Sequence, residues 1–446
     1  MTYYGAPPGE PERRPDPSPR PQPYGPAGAG RPVGRATPMA PVGRAAVPAS
    51  PAPVRPGSTR RLVGRRTAIL LVMVGVLVVG AGTAFATGVF SGGGRSAPVG
   101  GPAPSGQASS AGTTAAAPKA AAPPAKAAGP ISLSATGDII MGNAPRGLPP
   151  NGGKGFFDPV RSALDADLQM GNLEQTLTEA TGSTKCAPGS RTCYAFRTPP
   201  SYATVLRDAG FDLMNMANNH AYDFGAQGYK NTQAALDAAG IRYAGAPDQI
   251  TVVEVKGVKV AVVGFASYPT WSNDVTRIDS AAALVKRAAG QADLVVVQVH
   301  MGAEGAGMTH VRPGVEMFLG ENRGDPIAFS HAVVDAGADL VVGHGPHVMR
   351  GIEFHKGRLI AYSLGNFAGY ESLGIAGVTG VGGVLKVTLN ADGSYVSGTL
   401  APTVMVEPGL PRPDSSKRAI TLVGGLSKAD FPTTGAKIGA DGTITP

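Results

Sequence analysis

From Ile131 onwards, short runs of β-branched and aliphatic residues alternate with stretches of helical spacing. That alternation confines the chain to an α/β architecture. "ISLSATGD" reads as a strand that stops at Gly137-Asp138, and "PVRSALDADLQMGNLE" as a short helix passing into a strand that stops at Asn172-Leu173-Glu174. "SYATVLRDAGFDLMNMANNH" repeats the unit, with Gly210 ending the helix and Asn219-His220 ending the strand. Gly225 to Ala239 predicts a helix and "IRYAG" a short strand, while alternating apolar positions around Lys256-Gly257 signal a hairpin. Two further helix–strand units deliver His300, in "LVVVQVHMG", and His344 and His347, in "LVVGHGPH". Strands in "GRLIAYSLGNF" and "GVLKVTLNADGSYVSGTL" close the series, the last two joined over Asn390 to Gly393. Crossovers mixed with hairpins predict two packed sheets with helices outside, as one domain over residues 131–406 followed by a C-terminal extension, 407–446.

The polar residues that end these runs are the functional signal. Histidine is scarce, at seven in 446 residues, yet four (His220, His300, His344 and His347) stand beside Gly or Asn just after apolar runs. Ligand sites of open α/β sheets gather beyond the carboxyl ends of strands. Asp138, Glu174, Asn219, His220, His300, His344 and His347 all fall at such ends. Two carboxylates, a carboxamide and several imidazoles make a mixed oxygen and nitrogen set that suits Zn²⁺, Mn²⁺ or Fe. Six ligands, Asp138, Glu174, Asn219, His300, His344 and His347, exceed what one tetrahedral ion needs, and a pair of ions bridged by a carboxylate would use them. Ordinary readings stand beside this one: Asp138 as a turn cap, Glu174 as a solvated carboxylate, His300 as a satisfied strand-end histidine. Gly343-His344-Gly345-Pro346-His347 has the least packing value and is the strongest of the signals. His310, His331 and His355 lack the context, His331 falling on a helix face.

Upstream of the domain the composition changes. Residues 1–66 hold sixteen of the 41 prolines and no lysine, and they read as a disordered tail. Eleven arginines against Glu10, Glu12 and Asp16 give this tail +8, which equals the net charge of the whole chain. The remainder is near neutral, so the basic balance gives no reason to expect nucleic-acid binding by the folded part. Thr67 to Phe90 carries no charge and follows Arg65-Arg66. About 20 apolar residues cross a hydrocarbon core of about 30 Å, so this run is expected to be a single transmembrane signal-anchor at 67–90. The arginines set the tail in the cytoplasm and the domain outside the cell. A cleaved signal peptide is the alternative, since Ala84-Phe85-Ala86 has the small-x-small form of a cleavage site, but a leader of this length is unusual for one. Residues 91–130, rich in Ala, Gly, Pro and Ser, read as a flexible linker. Cys186 and Cys193 are the only two cysteines, and on the exported side a disulfide is the expected state; a two-cysteine metal site is the weaker reading.

The ordered set "GD" at 137–138, "NLE" at 172–174, "ANNHAYDFG" at 217–225, "HMGAE" at 300–304, "GHGPHVMRGIE" at 343–353 and "YSLGNF" at 362–367 resembles the CapA family of poly-gamma-glutamate capsule synthesis proteins. That family is similar in fold to the calcineurin-like metallophosphoesterases. The resemblance implies a four-layer α/β/β/α sandwich and a membrane-anchored protein working on an anionic cell-envelope polymer, alone or in a synthase-export complex. It implies Asp138 as a ligand of a first metal, Glu174 as the bridging carboxylate, Asn219 and His300 on a second metal, and His344 and His347 completing the pair. His220 would then be the acid at the scissile bond. The chain departs from the metallophosphoesterase pattern at Ile140, where a histidine is usual, at the two-residue spacing of His344 and His347, and in having Glu174 rather than an aspartate. Asn218, Arg197 and Arg312 are candidates for holding substrate. The segment between Glu304 and Asp325 is expected to be a lid or polymer-contacting wall, with an ordinary surface insertion as the alternative.

Overall fold

Apolar strand runs of this kind have to bury both faces, and two mixed sheets do so here. The structure is a computed structural model that describes residues 129–446 apart from residue 184 and residues 187–192. The tail 1–66, the apolar run 67–90 and most of the linker 91–130 lie outside the described residues. Among the described residues no helix is long and apolar enough to cross a membrane.

In chain order the first elements are β1 (Ile131–Ile140), α1 (Arg161–Leu164), β2 (Leu168–Leu173), β3 (Thr176–Leu177), β4 (Arg197–Thr198), α2 (Ala203–Ala209), β5 (Leu213–Asn215), α3 (Gly225–Ala239) and β6 (Arg242–Ala244). Next come β7 (Thr251–Val255), β8 (Val258–Ala266), β9 (Asn273–Asp274), α4 (Ile278–Ala289), β10 (Leu294–His300), β11 (Met317–Phe318), β12 (Glu321–Asn322), α5 (Pro326–Asp335) and β13 (Leu340–His344). The chain ends with β14 (Ile352–His355), β15 (Arg358–Ala361), β16 (Asn366–Gly369), β17 (Val381–Leu389), β18 (Tyr395–Val406), β19 (Leu410–Pro413), α6 (Arg418–Asp430), β20 (Lys437–Ile438) and β21 (Thr443–Thr445). One sheet runs β20-β21-β18-β17-β1-β2-β5-β6, with β16 beside β1 and β19 beside β18; the other runs β14-β15-β13-β10-β8-β7, with β9 beside β8.

Side-chain alternation distributes these strands over three apolar interfaces. Val260 and Val262 of β8 and Val296 of β10 pack inward against Leu133, Ala135 and Met170 of the other sheet. Their neighbours Ala261, Val263 and Val297 point outward, beneath Leu284 and Val285 of α4 and Phe329 and Val333 of α5. On the far side, Ile139, Leu173 and Met214 pack beneath Leu164 of α1, Leu206 of α2 and Leu236 of α3. Three interfaces make four layers in the expected α/β/β/α order, and they explain why the parallel strands are valine-rich without polar alternation.

The boundary expected at residue 406 is corrected. β19 and β21 both pair with β18, and Ala419, Val423 and Ile444 join the core between the sheets. Strands of two to four residues and a helix diluted by Gly424-Gly425 carry too little periodicity to be read from sequence.

Strand packing next to the histidines leaves no room for side chains at two glycines. A Cβ on Gly343 would collide with the carbonyl of Tyr362, and one on Gly137 with that of Gly365. Gly343→Ala is therefore expected to destabilise the domain by about 3 kcal/mol, the upper end of overpacking costs. A fall in the urea midpoint at unchanged slope measures this, and an unaltered midpoint refutes it.

Candidate metal centre

Parallel register assembles the site. Asp138 of β1 stands level with Asn172 of β2, and Asn172 with Asn215 of β5. In the second sheet His300 of β10 is level with His344 of β13. Both sheets thus end in polar side chains on one rim. His347 follows in a loop whose backbone is left-handed (φ 57°), an uncommon conformation for a bulky side chain and one that clusters at functional sites. Gly345 before it has φ 109°, and its bare Cα lies against the His300 ring, where a Cβ would come within 3.0 Å.

The side chains so placed converge. His347 Nδ1 lies 3.2 Å from Asp138 Oδ2, and His347 Nε2 lies 3.5 Å from Glu174 Oε1 and 3.8 Å from Glu304 Oε2. His344 Nδ1 is 3.9 Å from Asp138 Oδ1, and His300 Nε2 is 3.9 Å from Glu174 Oε1. Donor atoms of Asp138, Glu174 and His347 all lie within 4.8 Å of one another. Six buried atoms here have no hydrogen-bond partner: Asp138 Oδ2, both Glu174 oxygens, Asn219 Oδ1, His300 Nε2 and His344 Nδ1. Each such orphan costs about 1–3 kcal/mol, and the five on Asp138, Glu174, His300 and His344 are donors that a cation could satisfy. The five residues concerned, with His347, are the six ligands expected from the sequence, and their oxygen and imidazole chemistry fits divalent transition metals.

The opposite ends of the donors are held by amides. Asn172 Nδ2 donates to Asp138 Oδ1 at 2.8 Å, and Asn172 Oδ1 accepts from Asn215 Nδ2 at 2.9 Å and Asn218 Nδ2 at 3.1 Å. Gln298 Oε1 lies 3.2 Å from His344 Nε2, and Asn366 Oδ1 lies 2.9 Å from His347 Nδ1. Such partners fix which ring nitrogen faces a metal. Asn172, Asn215, Gln298 and Asn366 had not been assigned roles from sequence. Gln298 was the detectable one, being the only polar residue in "LVVVQV".

Electrostatics agree with this arrangement. Burial pushes the His300 imidazole well below its ordinary value, and His344 to about 4, in both cases against the pull of Asp138, so both rings are neutral as ligands must be. Burial likewise drives the Glu174 carboxyl well above the carboxylate range, with His347 opposing and Asp138 and Glu304 adding to the rise. Burial would also raise Asp138, but the His347 ring, with His300 and His344 beyond it, holds it well below. His347 itself is lowered by burial yet raised well above its usual value by Glu174, Asp138 and Glu304. The rises at Glu174 and His347 come from acidic oxygens crowded in a buried space, a crowding that a divalent cation would relieve.

His220 lies one residue from Asn219 but belongs to another cluster. Its Nδ1 is 2.7 Å from Asp223 Oδ2, and Asp223 also accepts from the Phe196 N–H at 2.7 Å. Lys185 Nζ reaches Asp223 Oδ1 and the Asn219 carbonyl, each at 2.9 Å, and lies 3.0 Å from His220 Nδ1. Burial lowers the His220 pKa, and Asp223 works against that shift. Sequence reading missed Asp223 and Lys185. The first stands in the quoted "NNHAYD"; the second stands next to Cys186, whose disulfide with Cys193 is formed as expected. Asn219 and His220 line a cavity of about 630 Å³ together with Lys185, Tyr268, Trp271 and Arg323.

Three substrate-binding expectations are corrected. Asn218 is fully buried, its amide spent on Asn172 Oδ1 and the Leu173 carbonyl while its oxygen accepts from the His220 N–H. Arg197 is buried against the Phe224 ring, 5.7 Å from its centre, and bonds to the Thr178 carbonyl. Arg312 is exposed and is not part of the cavity wall. The arginine that lines the cavity is instead Arg323.

The segment from Glu304 to Asp325 forms a wall. Phe318, Leu319, Glu321 and Arg323 line the cavity, and the buried Arg350 guanidinium grips both Glu316 oxygens at 2.9 Å and the Met308 carbonyl at 2.8 Å. Arg350→Met leaves the half-buried Glu316 carboxylate without its cation, and breaking such a pair costs about 3–5 kcal/mol. The expected result is a lower Tm with fast proteolytic nicking between residues 305 and 324; nicking at the parent rate speaks against this role.

Comparison with known proteins adds a lineage. The family described as "Bacterial capsule synthesis protein PGA_cap" matches residues 132–371. The PGA biosynthesis protein CapA of Bacillus subtilis is 31% identical over 262 residues, which cover 53% of this chain and 63% of that protein. The capsule biosynthesis protein CapA of Bacillus anthracis is 35% identical over 184 residues, 36% of this chain and 41% of that protein. The chain thus spans less than two thirds of the length of these relatives. Among solved structures, a phosphatase from Mycoplasma pneumoniae is 14% identical with a TM-score of 0.39, covering 66% of this chain and 99% of that one.

Proposed function

The chain belongs to the bacterial capsule synthesis protein family, and from that premise we propose that it acts in capsule or cell-envelope polymer biosynthesis as a metal-dependent enzyme that hydrolyses or transfers an ester- or amide-type bond. The observation that carries the proposal is the group of five buried, unpartnered donor atoms on Asp138, Glu174, His300 and His344, gathered beside His347. Asp138, Glu174, Asn219, His300, His344 and His347 would hold two ions, with Glu174 between them. When bound, such ions supply Lewis acidity and a water of pKa near ~7.

The chain's own residues would supply the rest. Asp223 takes the Nδ1–H of His220, which fixes the tautomer and leaves Nε2 to take up a proton, as an imidazolium that Asp223 stabilises, and then pass it to the leaving oxygen. Lys185 pairs with the buried Asp223 carboxylate and so compensates its charge. The cavity wall keeps bulk water from the reacting bond and strengthens these interactions.

The apolar run 67–90 would anchor the protein in the membrane with its domain outside the cell, within reach of an anionic envelope polymer and of a synthase-export complex. A second reading, a non-catalytic assembly factor that binds polymer through the centre, is favoured by one feature: Ile140, where metallophosphoesterases carry a ligand histidine, is fully buried. Metal analysis of the purified chain followed by a cleavage screen decides between them. About two ions per chain with turnover of a chromogenic phosphodiester or a γ-glutamyl oligomer supports the enzyme. Ions without turnover of any probe support the assembly factor.

A further inference from the structure

The cavity shared by Asn219 and His220 has a wall of unusual regularity. The rings of Tyr222 and Trp271 lie 4.9 Å apart at 6°, and those of Trp271 and Tyr268 lie 5.1 Å apart at 7°. Arg323 continues the ladder, its guanidinium 5.7 Å from the centre of Tyr268 and 5.5 Å from that of Phe318. Tyr194, backed on one side by Phe196 at 6.2 Å, is 62% exposed and also lines the space. The volume, about 630 Å³, falls in the range of small-molecule sites, ~300–1,000 Å³.

Charge limits what can enter. Among the described residues the wall carries two cations, Lys185 and Arg323, and two carboxylates, and both of these cations are committed. Lys185 pairs with Asp223 at 2.9 Å, and Arg323 with Glu304 at 2.8 Å and Glu321 at 3.0 Å. A run of carboxylates on a polymer would meet Glu304 and Glu321 without a surplus cation to receive it. A hydrocarbon chain would leave the charged groups dry, among them Arg323, which is 4% exposed and whose Nη1 has no acceptor. An uncharged sugar ring suits every feature. Its C–H face packs on the open face of Tyr194, and its hydroxyls donate to Glu304 and Glu321.

We infer that this cavity is the subsite for a neutral sugar residue of an envelope glycan, so that the metal centre acts on a bond carried by a glycan and not on a bare polyanion. The inference deepens the function proposed above and rests on it for the identity of the acting centre.

Trp271 is the only tryptophan of the chain, so intrinsic fluorescence reports this wall alone. The full-length chain in a sugar-free detergent is titrated with neutral tetrasaccharides of glucose, mannose, galactose and N-acetylglucosamine, and with γ-linked glutamate oligomers. The expected result is a saturable change with at least one tetrasaccharide, insensitive to 0.5 M salt, and none with the glutamate oligomers. Tyr194→Ala and Glu321→Gln, both at exposed positions, are each expected to weaken that binding at least ten-fold. Absence of a response to every sugar overturns the inference, as does saturation by the glutamate oligomers at equal or lower concentration. The readout requires neither turnover nor bound ions, so repeating it after chelation, with metal content measured on the same sample, separates failure of this subsite from failure of the metal reading.

Discussion

Replacing His344 and His347 together by alanine is expected to take the purified chain from about two transition-metal ions to fewer than one. His347 touches Asp138, Glu174 and Glu304 at once, and His344 presents a buried, partnerless Nδ1 to Asp138. Losing a mere orienting partner of a ligand costs about 10–100-fold in metal affinity, and loss of a ligand costs more than that. The pair of substitutions also leaves Asp138 and Glu174 facing each other with less positive charge between them. The protein should therefore still fold but show a weaker thermal response to added metal, since an ion that binds only the native state stabilises by about 2.7 kcal/mol at 100 times its Kd. Elemental analysis and melting curves with and without Mn²⁺ or Zn²⁺ are the measurements. Full metal content in the double variant would remove the metal assignment.

The second large effect concerns His220. His220→Ala is expected to lower kcat by about 10²–10⁴, the usual worth of a positioned proton donor, while metal content stays at the parent level. Asp223→Asn should fall in the same range, because the imidazole loses the partner that holds its Nδ1–H and Lys185 loses its counter-ion. Steady-state kinetics on whichever probe the parent turns over, paired with elemental analysis, separates this from a metal effect. Parent-level turnover in His220→Ala takes the residue out of the mechanism.

What the sequence disclosed and what it withheld follow a physical division. A carboxylate or imidazole at the end of a valine-rich strand has no packing value, so Asp138, Glu174, His300 and His344 announced themselves. So did the layer order, because parallel strands buried on both faces leave continuous apolar runs. The amides that orient the ligands stayed hidden, since Asn172 or Asn215 on a strand looks like any half-buried polar residue until register aligns them. Lys185 was invisible because it meets His220 across 35 positions of the chain, a contact that no local pattern records. Arg197 and Arg312 misled for a related reason: sequence cannot distinguish a guanidinium already spent on a neighbouring ring and carbonyl from one free to meet a ligand.

The donors come from both sheets: Asp138 from one, His300 and His344 from the other, with Glu174, Asn219 and His347 on the loops just beyond. Ions held among them would act as a rivet through the sandwich, and their grip would relax whenever the two halves part by even a fraction of an ångström. Scarcity of the ion would then register not only as lost chemistry but as a looser fold, open sooner to surface proteases. Abundance of the protein would thereby follow the metal supply.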